Sequence, residues 1–159
     1  MPPSPYTRIR ALWDRWSKLP GGKWIFGKLL GLAVPYTGTI KPRVVELRPG
    51  YARVEMADRR AVRNHLRSIH AIALMNLAEV TSGLAATMSL PDTARAIPVR
   101  LSIDFVKKAR GRLTAECTAP AIDASAEREH DIEAVIKDPG GDVVARAVAR
   151  WRVGPQSPK

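Results

Sequence analysis

Cysteine and long apolar runs are nearly absent from this chain. Its 159 residues include one cysteine, Cys117, which excludes an internal disulfide and a zinc site built from several thiolates of this chain. The best apolar stretch, WIFGKLLGLAV, is broken by Lys28 and is shorter than the roughly 18–20 residues that span a bilayer. The N-terminus lacks the basic-then-apolar order of a secretory signal. We therefore expect one cytoplasmic domain.

Acidic residues are scarce relative to basic ones. The chain has 15 Asp and Glu against 26 Lys and Arg, a formal net charge of +11. Residues 1–36 contribute +5 of this, with Asp14 as their only acid. Such a balance predicts an anionic partner: lipid headgroups, a phosphorylated cofactor or nucleic acid. Nucleic acid is not expected, because no DNA- or RNA-binding motif is visible and the arginines are dispersed.

The apolar periodicity changes along the chain. Up to Pro35 it is helical, in two pieces separated by Pro20-Gly21-Gly22. The apolar period then becomes two residues, which predicts two strands joined at Pro49-Gly50. Residues 69–88 follow a helical period with apolar residues nearly all round, as in a buried helix. Four strands are predicted after it. The first carries five apolar residues assigned to one face: Ile97, Val99, Leu101, Ile103 and Phe105.

This order, β-β-α-β-β-β-β after a helical extension, predicts an α+β domain. The turns between strands are short, so the sheet should be mostly antiparallel, and one apolar face should cover the buried helix. We assign residues 1–36 to a basic helical N-terminal extension, 37–154 to the domain and 155–159 to a disordered tail. Residues 1–5 are also predicted to be disordered, being short, polar and rich in proline.

Polar residues with a characteristic spacing accompany the central helix. Asn64 stands six residues before His70, and Glu79 stands nine after it. This spacing, the strand order and the glycine-led strand ARGRLTAEC resemble the hotdog-fold acyl-CoA thioesterases, over residues 39–153. The nearest resemblance is to the phenylacetate-pathway and 4-hydroxybenzoyl-CoA thioesterase branch, and to a thioesterase-like branch with an N-terminal helical extension.

The resemblance implies an antiparallel sheet wrapped around one long helix. It also implies a homodimer, or a tetramer formed as a dimer of dimers, that acts on acyl-CoA and needs no cofactor besides that thioester substrate. The pair of glycines expected after the histidine is Ala71-Ile72 here, and a glycine expected three residues before it is Arg67. Glycine allows positive φ and close backbone approach. A non-catalytic protein that binds a fatty acyl chain or lipid therefore remains the alternative.

The same resemblance assigns roles to individual residues. Glu79 would be the general base or the nucleophile, with Asn64 and His70 as its catalytic partners. The Ala71 amide at the helix start would polarise the thioester oxygen, and Asn76 would orient the Glu79 carboxylate. Structural roles fit each side chain as well: an acid paired with an arginine at a dimer interface, a loop anchor, a helix cap, and a buried amide with satisfied hydrogen bonds.

Two basic clusters flank the predicted site. Arg63 and Arg67 precede the helix, and Lys107, Lys108 and Arg110 end a strand. Arginine and lysine suit the phosphates of coenzyme A, although a solvated rim fits them equally. No Cys/His/Asp cluster has the spacing of metal ligands, so no metal site is predicted.

Three of the four tryptophans, Trp13, Trp16 and Trp24, lie in the N-terminal extension beside basic residues. Tryptophan and lysine on an amphipathic helix suit peripheral contact with a membrane. Docking on the domain or on a partner subunit is favoured here, because Lys28 interrupts the second helix and Pro35 leads directly into the first strand.

Overall fold

Four helices and six strands make up the chain in a computed structural model that describes residues 4–156. The predicted order of helices and strands is confirmed. The helices are α1 (Pro5–Trp16), α2 (Gly22–Ala33), α3 (Pro35–Gly38) and α4 (Ala71–Thr87), with a 3-10 turn at Arg60–Val62. The strands are β1 (Arg43–Arg48), β2 (Tyr51–Met56), β3 (Ala94–Phe105), β4 (Leu113–Thr118), β5 (Arg128–Lys137) and β6 (Val143–Pro155).

The strands form one six-stranded antiparallel sheet in the order β1-β2-β4-β5-β6-β3. Its middle strands alternate buried and accessible residues, as expected for a sheet with one covered face. Helix α4 packs on that face over β2, β4, β5 and β6. The two edge strands, β1 and β3, lie at opposite ends of the sheet.

Helix α4 is buried because it is apolar on nearly every side. Leu77 and Ala78 are buried, and Thr81 satisfies its buried hydroxyl by donating to the Leu77 carbonyl at 2.6 Å. The helix begins at a defined point because His70 Nδ1 accepts a hydrogen bond from the Ile72 amide at 3.1 Å. The sequence pattern had predicted this buried helix.

Helix α1 docks on the domain through both polar and apolar contacts. The Ala96 amide donates to the Tyr6 hydroxyl at 2.7 Å, and Arg10 donates to the Thr87 carbonyl at 3.1 Å. Trp13 is buried edge-on against Phe26, with ring centroids 5.2 Å apart. This part of the extension therefore adds to the core of the domain.

Helix α2 turns part of its apolar surface outward. It buries Phe26 and Leu30, whereas Trp24 and Leu32 are exposed. Its packing against β1 is close, because a Cβ placed on Gly27 would lie 2.5 Å from the Pro42 carbonyl oxygen. In the described part of the chain, no helix combines the length and apolar character needed to cross a bilayer.

The single apolar face predicted for β3 is wrong. Strand β3 pairs with β6, and the register shifts between Pro98 and Arg100, so that Val99 is an extra residue at a β-bulge. Before the bulge Ile97 lies opposite the exposed Arg152, whereas after it Leu101 lies opposite the buried Ala149. The bulge therefore moves the apolar residues from one face of the sheet to the other.

The predicted disorder at the two ends is wrong for four residues. Ser4 accepts a hydrogen bond from the Thr7 amide and caps α1, which begins at Pro5. Pro155 ends β6, and the Gln156 amide donates to the Thr93 carbonyl at 2.7 Å. The rest of these predictions, for residues 1–3 and 157–159, lies outside the described residues.

Candidate functional site

Glu79 lies in the third turn of α4, half-buried at the wall of an apolar cleft of about 180 Å³. The cleft lies between α4, the N-terminal helices and the end of the sheet. Its other lining residues are mostly apolar: Tyr6, Ile9, Leu30, Val34, Thr37, Val80, Gly83, Leu84, Ala86, Thr87, Leu90, Ala96 and Trp151.

The Glu79 carboxylate is electrostatically uncompensated. Within residues 4–156 it makes neither an ion pair nor a side-chain hydrogen bond. Burial raises the pKa of the Glu79 carboxyl above its usual value. The structural alternative for Glu79, an arginine partner at a dimer interface, would have to come from a second copy of the chain. A carboxylate in such surroundings is a stronger base than one in water, and this combination is typical of functional groups in clefts.

Asn64 lies in the loop before α4 and holds that loop together. Its Oδ1 accepts hydrogen bonds from the Leu66 amide at 2.9 Å and from the Ser68 amide and hydroxyl, both at 3.2 Å. This is the loop-anchoring role that asparagine commonly has. The Asn64 Nδ2 group donates to no atom within the described residues, so it is the part of this side chain that a ligand can use.

His70 and Ala71 form the start of α4. The hydrogen bond from the Ile72 amide to Nδ1 of His70 leaves Nε2 as the protonated nitrogen of the neutral ring. The exposed Ala71 lines a second cleft of about 230 Å³, together with Asn64, Ser68, Phe105 and Lys108 among others. The first amides of a helix have no partner inside the helix and lie at its positive end. The second cleft therefore offers a donor to an anionic oxygen.

A single protomer does not bring the predicted catalytic residues together. Glu79 lies nine positions along α4 from His70, which corresponds to roughly 13 Å of helix. Asn64 and Ala71 line the second cleft, and His70 lines neither that cleft nor the one at Glu79. Joint action of Glu79 with these residues would require a second copy of the chain.

Asn76 does not orient Glu79 in this structure. It is buried, and its Nδ2 donates to the Tyr36 carbonyl at 3.1 Å. The side chain therefore ties α4 to α3, within one protomer. This is the predicted structural role of a buried amide with a satisfied hydrogen bond.

The two basic clusters divide into paired and free cations. Arg63 Nε donates to Asp58 Oδ1 at 2.6 Å, and Lys107 contacts Asp138 and Asp142 at 2.7 and 2.6 Å. These carboxylates raise the pKa of both basic groups. Arg67, Lys108 and Arg110 form no ion pair with any residue from 4 to 156, and only Lys108 of these three lines the second cleft. These three retain charge for an external anion.

Arg67 adopts a backbone conformation that is costly for arginine. Its φ is +56°, in the left-handed region, at the position where the family resemblance leads us to expect glycine. The tight turn is therefore present although arginine stands where glycine is expected. The turn persists because its backbone is held on both sides: the Arg67 amide donates to the Asn64 carbonyl at 3.2 Å, and the Asn64 amide donates to the Ser68 carbonyl at 2.8 Å.

We expect Arg67→Gly to stabilise the protein by about 0.5–1 kcal/mol, since relief of the left-handed strain outweighs the extra freedom of glycine in the unfolded chain. The midpoint of urea unfolding should rise. Arg60→Gly is the matched control, because Arg60 has a negative φ in the 3-10 turn and its replacement should be destabilising. Equal losses of stability in the two variants would contradict the prediction.

The walls of the Glu79 cleft were missed by the sequence analysis. Tyr6 and Ile9 come from α1 and Trp151 from β6, far from Glu79 along the chain. Gly83 fits there because a Cβ would lie 3.1 Å from the Trp151 ring. Periodicity shows which face of an element is apolar, but not which distant element covers it. Within residues 4–156, no group of three or more His, Cys, Asp or Glu side chains could hold a metal ion.

Residues 22–153 match the model of a family described as a domain of unknown function, DUF4442. The chain belongs to this family. The match covers α2 through most of β6 and leaves α1 outside. No curated protein matches this chain.

Solved structures share the fold of this DUF4442 protein. A structural-genomics protein is 31% identical to it, with 94% of this chain and 99% of that one covered and a TM-score of 0.82. A Pseudomonas aeruginosa protein of unknown function, described as a probable thioesterase, is 24% identical over 87% and 97% of the two chains, with a TM-score of 0.73. A thioesterase family protein from Silicibacter pomeroyi is 17% identical over 84% and 99%, with a TM-score of 0.70. The hotdog fold predicted from the sequence is confirmed.

Proposed function

We propose that this protein is a thioesterase-like enzyme that hydrolyses acyl-CoA or another acyl thioester, with Glu79 as general base or nucleophile. The observation that carries this proposal is the half-buried Glu79 carboxylate, which has no partner among residues 4–156, at the wall of an apolar cleft. Leaving a carboxylate without a partner in such a place costs stability. A catalytic task is the physical reason to keep it there, and the thioesterases among the structural neighbours support that choice.

Two routes use the same carboxylate. As a general base, Glu79 takes a proton from water while the water oxygen attacks the thioester carbonyl. As a nucleophile, it forms a mixed anhydride and releases the thiolate, and water then cleaves the anhydride. Both routes consume one water and yield a carboxylic acid and a free thiol. The Ala71 amide of a second copy would supply a hydrogen bond to the carbonyl oxygen as negative charge develops there.

A homodimer would complete this site, and two features of strand β3 favour such a dimer. Leu101 and Phe105, on the side of β3 that faces the core, remain 40% and 54% exposed because α4 packs mainly over β2, β4, β5 and β6. Strand β3 is also an edge, with backbone groups open to pairing. A second copy on this edge buries the apolar residues. It would also bring its own Asn64, His70 and Ala71 to the Glu79 of the first copy.

The free cations suit the anionic part of the substrate. Lys108 lines the cleft that contains the Ala71 amide, and Arg67 and Arg110 lie close to it along the chain. A CoA thioester carries a pyrophosphate and a 3′-phosphate, which lysine and arginine bind through charge-assisted hydrogen bonds. Arg63 and Lys107 already have carboxylate partners, so they are less available to these phosphates than the three free cations are.

The test is release of free thiol from a panel of acyl-CoA substrates, from short aliphatic to aromatic and long-chain acyl groups. We expect turnover of at least one class, with saturation kinetics. If no member of the panel is hydrolysed or bound, the enzyme proposal fails.

A non-catalytic acyl-binding protein is the second candidate. It is favoured by the use of Asn64 Oδ1 and His70 Nδ1 in internal hydrogen bonds. This candidate predicts an acyl ligand or lipid that co-purifies with the protein, seen by native mass spectrometry, and no turnover. Hydrolysis of acyl-CoA by a ligand-free preparation would exclude it.

A further inference from the structure

Helix α2 presents an apolar stripe that the protomer leaves uncovered. Trp24, Lys28 and Leu32 follow one another at four-residue intervals and so lie on one side of the helix. Trp24 is 60% exposed and Leu32 is 77% exposed. Lys28 Nζ lies 4.0 Å from the centre of the Trp24 ring, a cation–π contact that keeps the charge beside the aromatic surface. We call these three residues the α2 stripe.

An open groove of about 970 Å³ runs beside the α2 stripe, toward the start of β1. Glycine and proline residues form much of its floor, and three cations lie at its edges: Lys28, Lys41 and Arg43. None of its lining residues is acidic. Arg43 is in contact with Glu55 at 3.3 Å, whereas Lys28 and Lys41 have no carboxylate partner within the described residues. The groove therefore combines apolar surface with uncompensated positive charge.

We propose that the α2 stripe and its groove form a docking surface for an anionic lipid bilayer. Residues 4–43 contain eight Lys and Arg and a single acid, Asp14, so this segment of the chain is strongly basic. Tryptophan and leucine flanked by lysine are the composition that places a helix at the headgroup–acyl boundary. Helix α2 has 12 residues, too few to cross, and so it would lie in the plane of the surface.

Lys41 lies at this groove in the tight turn between α3 and β1. It has a φ of +50°, a left-handed conformation that glycine or asparagine adopts at lower cost. The turn is held by its backbone, because the Lys41 amide donates to the Gly38 carbonyl at 3.1 Å. The Lys41 side chain forms no ion pair within residues 4–156, so its ammonium group stays available to an anion at the groove.

A second copy of the chain is a poorer occupant of this surface. A twofold contact through the α2 stripe would place Lys28 and Lys41 of one copy against the same residues of the other, without carboxylates between them. Like charges facing each other cost several kcal/mol at an interface. Anionic headgroups provide the missing counter-charge.

The test is co-sedimentation of the full-length protein with vesicles at low ionic strength. We expect binding to vesicles of phosphatidylglycerol and phosphatidylcholine in equal parts, and little binding to phosphatidylcholine alone. The double variant Lys28→Gln/Lys41→Gln should lower the partition coefficient roughly twenty- to thirtyfold, since each basic residue near such a surface contributes about a fivefold factor. Trp24→Ala/Leu32→Ala should lower it about tenfold or more, because these side chains insert.

Arg128→Gln/Arg146→Gln is the matched control. It also removes two positive charges, but from exposed positions on β5 and β6. Vesicle binding should stay within about twofold of that of the unsubstituted protein. Thermal unfolding of each variant checks the fold. Equal binding by the α2 and control variants would overturn the proposal, as would the absence of binding to anionic vesicles. A smaller particle mass for Trp24→Ala/Leu32→Ala in solution would also overturn it, because a second copy would then be the occupant.

Discussion

Replacement of Glu79 by glutamine will lower the rate of acyl thioester hydrolysis by about 10²–10⁴-fold, the usual contribution of a general base. Glutamine keeps the size and one oxygen acceptor of the side chain, but it can neither take a proton from water nor attack the carbonyl as a carboxylate. The loss should fall on kcat, with KM little changed, because the apolar cleft around position 79 is preserved. Free-thiol release under steady-state conditions measures both constants.

The same substitution should make the fold more stable at neutral pH. Burial raises the pKa of the Glu79 carboxyl in the folded protein, so the folded state loses this proton at higher pH than the unfolded state does. The carboxyl therefore costs nothing below its unfolded pKa of about 4.3. Its cost grows as the pH rises toward the folded value and is constant above that. Glu79→Gln should thus unfold at a higher temperature at pH 7 and show no such gain at acidic pH.

Glu133→Gln is the matched control for both measurements. Glu133 is an exposed residue of β5 that contacts Arg146 at 3.5 Å, so its loss should change neither kcat nor stability by much. Full activity in Glu79→Gln would eliminate the catalytic role. A fall in its stability at pH 7 would show instead that the carboxylate has a stabilising partner, such as a cation from a second subunit.

The order of helices and strands could be predicted because it follows from local periodicity. The change from a helical period to alternation after residue 36, and the glycine turns at Gly50 and Gly141, are signals carried by neighbouring residues. The buried α4 was predicted for the same reason. Apolar residues cover most of its circumference, and such a helix is stable only when most of its sides are buried.

The failures of sequence analysis concern contacts between distant segments. The bulge at Val99 was missed because apolar residues continue to alternate through it, so the change of face is visible only in the pairing with β6. Helix α2 is apolar on several sides, and composition did not show that Phe26 would face inward and Trp24 outward. The Glu79 cleft likewise depends on α1 and Trp151, which the spacing of residues around His70 does not reveal.

We expect Leu101→Lys to convert a dimer into a monomer and to remove most of the hydrolytic activity with it. Leu101 lies on the core-facing side of the β3 edge and is 40% exposed in the protomer, so the substitution should leave the protomer folded. In a twofold dimer each interface contains two copies of the residue. Losing apolar burial and burying two ammonium groups should cost about 3 kcal/mol or more, which is over 100-fold in the dimer dissociation constant.

Sedimentation equilibrium measures that constant, and the thiol assay is run at the same protein concentrations. Ser102→Lys is the control, since it adds the same charge at the next residue, where the chain faces the outer side of the sheet opposite Val148. It should remain dimeric and active. If the unmodified protein is already monomeric at micromolar concentration and hydrolyses thioesters, the shared site is wrong. Glu79 must then act with groups of its own chain, and the apolar cleft under α1 becomes the whole of the active site.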